Sequence, residues 1–130
     1  MKNDANMERG IITITENGAV TMPTAPVWMT QQEMCDAFNM FGYDIRKIIA
    51  AIYKNNELSK EETVRHVRQD GRMCYDVYSL EMVIAVAFKL RSCEAIAFRK
   101  FIMERLYAPN REKPVHLLFS LSVANSRCTC

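Results

Sequence analysis

Ile45, Ile48, Ile49 and Ile52 recur at the spacing i, i+3, i+4, i+7. Only a helix lays side chains at that spacing along one face, so the stripe predicts a helix over Tyr43–Tyr53 with a buried apolar side. The opposite face then carries Tyr43, Lys47, Ala50 and Lys54, flanked by Arg46 and Ala51. Upstream, Thr30-Gln31-Gln32-Glu33 has the form of a capping box. In such a box the Thr30 hydroxyl accepts from the Glu33 backbone N–H, and the Glu33 carboxylate accepts from that of Thr30. A helix beginning there places Met34, Ala37 and Phe38 on one face and ends near Asn39, with Phe41-Gly42 as the break. Two short helices joined by a few residues are a helix-turn-helix.

The stretch after this pair sharpens the expectation. Asn55–Lys60 has loop composition, and Thr63–Arg68 then alternates as a strand. Gln69-Asp70-Gly71-Arg72 reads as a turn, and Met73–Tyr78 returns. A hairpin directly after the second helix is a wing. A second hairpin is expected earlier, from β-branched Ile11–Thr15 through Glu16-Asn17-Gly18 to Ala19–Met22, since Asn-Gly favours tight hairpin turns. Val27–Met29 reads as a further short strand. Ser79 is expected to cap a third helix from Leu80 to about Arg91, apolar on nearly every side. A fourth helix, about Ser92–Tyr107, sets Ala95, Phe98, Ile102 and Leu106 on one face and stops at Pro109. The fold expected is therefore α+β: a winged helix-turn-helix over 10–107, with an N-terminal β-hairpin and two C-terminal helices. Residues 1–9 read as a frayed start. Residues 108–130 read as an irregular tail, with a short helix or strand at Val115–Val123.

The chain has 130 residues, 49% of them hydrophobic and 25% charged, which suits one globular domain. No apolar run reaches the ~18 residues of a membrane span, and the polar start lacks a signal-peptide core, so a cytoplasmic location is expected. Of the five cysteines only Cys128-Thr129-Cys130 are close together, with no second pair or histidine nearby. Reduced thiols are expected, not zinc. His66 and His116 are read as solvated or internally satisfied. Gly-rich phosphate loops, nucleophile elbows, zinc-protease motifs and paired carboxylates in an apolar setting are absent, and Asp44 and Glu94 stand alone. The expectation is a protein that is not an enzyme and uses no cofactor, metal or small-molecule substrate.

Charge is unevenly spread. Residues 1–40 carry two basic and five acidic side chains, residues 41–91 nine and seven, and residues 92–130 six and three. The displacement of positive charge from the first third suits a polyanionic partner. The face of the second helix offers long donors in Arg46 and Lys47, clearance at Ala50, and Tyr43 and Lys54 beside them. The wing adds Arg65, Arg68 and Arg72, suited to phosphates or a minor groove. These eight residues are the candidate site for double-stranded DNA. The plain alternative is a solvated helix face and strands whose arginines serve solubility.

The series Val27–Phe38 (VWMTQQEMCDAF), the isoleucine register, Asn55–Leu58 (NNEL), Tyr78–Ser92 (YSLEMVIAVAFKLRS) and Phe98-Arg99 resembles the RhuM family of virulence- and prophage-associated proteins. The resemblance covers roughly residues 10–107. It implies a DNA-binding protein with a winged helix-turn-helix core, a transcriptional regulator of a prophage or mobile element. Two stretches depart from the family pattern: Phe41-Gly42-Tyr43-Asp44, where a Ser/Thr-rich turn is usual, and Ser92-Cys93-Glu94-Ala95, where a basic, glycine-containing stretch is usual. Two other readings stand beside it: a winged-helix core used to bind a protein partner, and a truncated remnant of a longer effector. The all-round apolarity of Leu80–Leu90 adds the expectation of a homodimer through that helix.

Overall fold

The structure, a computed structural model, describes residues 8–69 and 73–108. It is a mixed α+β fold with two small antiparallel sheets. The first sheet is the hairpin of β1 (Thr13–Ile14) and β2 (Val20–Thr21), with Thr13 opposite Thr21 and Ile14 opposite Val20. Its turn closes as the Asn-Gly signal suggests. Gly18 has φ +87°, a backbone region that disfavours a side chain, and its N–H donates to the Thr15 carbonyl at 2.9 Å. Gly10 is needed for a different reason. A Cβ there would lie 2.3 Å from the Ala25 carbonyl oxygen, where the chain runs beside Val27 in an isolated bridge.

The second sheet has the order β3-β5-β4, built from β3 (Trp28–Met29), β4 (Val64–Gln69) and β5 (Met73–Ser79), all antiparallel. Between β3 and β4 lie α1 (Gln31–Phe38) and α2 (Gly42–Lys54), joined by three residues. The capping box forms as expected. Glu33 N–H donates to Thr30 Oγ1 at 3.1 Å, and Thr30 N–H to Glu33 Oε1 at 2.8 Å. Left-handed Asn39 ends α1 at φ 55°, its N–H donating to the Cys35 carbonyl. Ile45, Ile49 and Ile52 are buried and Ile48 half-buried, so the stripe faces the core.

One element was not anticipated. Lys60–Thr63 forms a single helical turn, α3, where a loop running into a strand at Thr63 was expected. A buried hydroxyl chain holds it: Tyr53 Oη lies 2.7 Å from Thr63 Oγ1, and Thr63 Oγ1 donates to the Ser59 carbonyl at 2.6 Å. Thr63 is fully buried, and these bonds satisfy the hydroxyl there.

The apolar segment after β5 forms α4 (Leu80–Ala87), shorter than expected. Lys89 N–H donates to Val86 O and Leu90 N–H to Ala87 O, a tightened final turn that stops the helix. Arg99 of α5 (Cys93–Tyr107) then donates to the Ala87 and Leu90 carbonyls at 2.7 and 2.8 Å, filling the acceptors left at that end. Ser79 occupies the N-cap position but makes no capping hydrogen bond. It is also the last residue of β5, paired with Trp28, and its hydroxyl is buried without a hydrogen-bond partner among the described residues. Ser92 does cap α5, accepting from Ala95 N–H at 3.1 Å.

α4 contacts β5, β3, α2, α3 and α5, and Met82, Val83, Val86 and Ala87 are fully buried. One copy of the chain thus covers most of this helix. Leu80, Ile84 and Ala85 are half-buried and Phe88 is 46% exposed, so part of the apolar surface behind the expected homodimer through Leu80–Leu90 stays open. The core continues through Phe38 and Phe98, whose ring centroids are 5.7 Å apart, and through Ile12, Met29 and Met34. On α5, Ala95 and Phe98 are buried and Ile102 half-buried, but Leu106 is 63% exposed. The expected α5 stripe therefore runs out of core before its last turn. The expected turn at Gln69–Arg72 falls largely outside the described residues, as do Pro109 and the tail beyond Ala108.

Candidate nucleic-acid interface

α2 turns its isoleucines inward, and geometry then sets the opposite face of the helix outward. Tyr43, Arg46, Lys47, Ala50 and Lys54 are all exposed. Residues three and four apart meet on a helix surface. Accordingly the Arg46 guanidinium lies 6.0 Å, and the Lys47 ammonium 5.3 Å, from the Tyr43 ring centroid. Among the described residues, the ion pairs join Arg9 to Glu33, His66 to Asp76 and Lys89 to Glu57. None of Arg46, Lys47, Lys54, Arg65 and Arg68 is neutralised by a carboxylate there.

The hairpin divides its arginines between two faces. In β4–β5, Arg65 stands opposite Val77, His66 opposite Asp76, and Arg68 opposite Cys74. Alternation puts Arg65 on one face, and His66 and Arg68 on the other. The Arg65 guanidinium lies over the Trp28 indole at 4.3 Å. Next to this stack, Arg9 makes a two-pronged contact with Glu33, at 2.7 and 3.1 Å, and donates to the Trp28 carbonyl at 2.8 Å. Burial acts to raise the Glu33 pKa, but the Arg9 and Thr30 hydrogen bonds and the Arg9 charge outweigh it and hold the carboxyl below its ordinary value.

The other hairpin face meets α2 across a groove of about 520 Å³, lined among others by Gln31, Arg46, Ala50, His66 and Asp76. The structure therefore brings Arg46 and Ala50 together with the hairpin, with Arg68 on the same sheet face. It sets Arg65 on the far face. Arg72 lies outside the described residues. His66 is not lone, as read from sequence, but paired through Nδ1 with the Asp76 carboxylate across the strand. The signal was present: His66 and Asp76 are equally distant from Gly71, so a turn centred there sets them opposite each other. Trp28 and Gln31 were missed as site residues, because nothing local in the sequence ties them to the hairpin.

No group of three His, Cys, Asp or Glu able to hold a metal ion occurs among the described residues. Among the described residues, Cys35 and Cys74 are free thiols. Burial, with a contribution from Asp36, pushes the Cys35 thiol up against the smaller opposing effect of Arg46, so it stays protonated. No helix of the described residues is long and apolar enough to cross a membrane. Comparison of the chain with protein-family models, curated proteins and solved structures returned no match.

Proposed function

We propose that this chain is a DNA-binding protein that sets α2 in the major groove and brings the β4–β5 hairpin to the phosphate backbone, as a winged helix-turn-helix does. The carrying observation is the exposed α2 face, where Arg46, Lys47 and Lys54 have no carboxylate partner among the described residues. Two features support the reading. The order β3-α1-α2-α3-β4-β5, with β3 beside β5, is compatible with a hairpin acting as a wing after a helix pair. The sequence also resembles the RhuM family, which favours a cytoplasmic regulator carried by a prophage or mobile element. The activity proposed is binding, not catalysis.

The test is the affinity for random duplex DNA across a range of salt. If about four cations reach phosphates, log affinity falls with log salt at a slope of roughly −3.6. A second reading has its own observation. Met22, Leu80, Ile84, Phe101, Ile102 and Leu106 line an apolar groove of about 300 Å³ between α4, α5 and the first hairpin. Binding of a protein partner there is insensitive to salt, so a flat salt dependence favours this second reading.

A further inference from the structure

The corner between α1 and α2 carries two aromatic rings in water. Phe41, at the N-cap of α2, is 80% exposed, and Tyr43 is 61% exposed. Among the described residues, neither ring is part of the hydrophobic core. Phe41 makes no side-chain capping bond, and its role in the turn is played by its carbonyl, which accepts from Asp44 N–H at 3.1 Å and Ile45 N–H at 3.2 Å. Any residue supplies that carbonyl. The Tyr43 ring is flanked by the cations of Arg46 and Lys47.

Exposed rings beside unneutralised cations match a ligand that combines flat apolar faces with negative charge. A nucleic acid has both: phosphates for the cations and base faces for the rings. In a fully stacked duplex the base faces are hidden, and the groove offers an aromatic ring little beyond thymine methyl groups. A ring at this corner gains its full contact only where a base step opens, as apolar wedges do in proteins that kink DNA. We propose that Phe41 and Tyr43 form a stacking corner for unstacked bases, so that the protein prefers DNA with a locally unpaired or opened step over fully paired duplex. The inference rests on the DNA-binding reading above and adds the class of DNA to it.

The experiment compares fluorescence-anisotropy affinities of the full chain for a short paired duplex and for the same duplex with a central mismatch bubble. The wild type binds the bubble on the order of tenfold more tightly. Phe41→Ala brings the two affinities to within about twofold by weakening the bubble complex, while Phe41→Trp keeps the preference. Thermal melting of each variant checks that the fold survives. Equal wild-type affinities for the two DNAs overturn the stacking corner and leave DNA binding standing. A preference unchanged in Phe41→Ala and in Tyr43→Ala overturns it as well. Binding to neither DNA at low salt overturns both readings.

Discussion

Single side chains divide here into those on the proposed interface and those that hold its frame. Lys47 sits centrally on the outward face of α2, and Arg68 on the hairpin face that meets the groove. If Lys47 reads a base edge, Lys47→Ala loses about 1–3 kcal/mol of affinity and relaxes specificity at one position. Arg68→Ala weakens all sequences alike and makes the salt slope shallower by about one unit, as loss of a phosphate contact does. Selection from a random duplex library, together with salt titration, separates the two.

Glu33 belongs to the frame. Its carboxyl is held below the ordinary glutamate value in the folded protein, so the associated stability is present above the unfolded pKa and lost as pH falls through the folded one. Chemical denaturation between about pH 6 and about pH 3 therefore shows stability falling toward acid, with Glu33→Gln flattening part of that fall. An identical profile in the variant removes Glu33 from the account. The capping half of this arrangement was legible from four residues, because a capping box is local. The Arg9 half was not, because Arg9 reaches Glu33 only once β3 and α1 are in place.

At the scale of elements, periodicity carried furthest where one face is wet and the other dry. The isoleucine register located α2 to within about a residue at each end. Ile52 is fully buried, and Ile52→Ala costs about 2–5 kcal/mol, read as a lowered denaturation midpoint with an unchanged slope. Ala50→Ser, on the exposed face of the same helix, moves the midpoint by no more than about 0.5 kcal/mol. Equal losses at the two positions contradict the orientation of α2. Periodicity said less about α4, since a helix apolar all round has no preferred face to read. It stops early in a tightened turn, and the Ala87 and Leu90 carbonyls there accept from Arg99, a residue of the next helix. The α3 turn was invisible because it is made by a Tyr53–Thr63–Ser59 hydroxyl chain, not by helix propensity.

For the whole molecule, the candidate surface is a composite of two elements separate in sequence. The residues of α2 could be named from one helix face, and the structure leaves them exposed. The hairpin residues could be named but not oriented, because strand alternation sends Arg65 and Arg68 to opposite faces. Arg65 then stacks on Trp28, a residue from a strand nearly forty positions earlier. The apolar groove beside α5 lies on other elements, so the two functional readings predict contacts in different places. Backbone amide chemical shifts of the labelled protein, followed through titration with a short duplex at low salt, distinguish them directly. The account predicts shifts over residues 42–54 and along β4 and β5, with Met22, Leu80, Ile84 and Ile102 unmoved. Shifts centred on that second group, or none at any DNA concentration, contradict it.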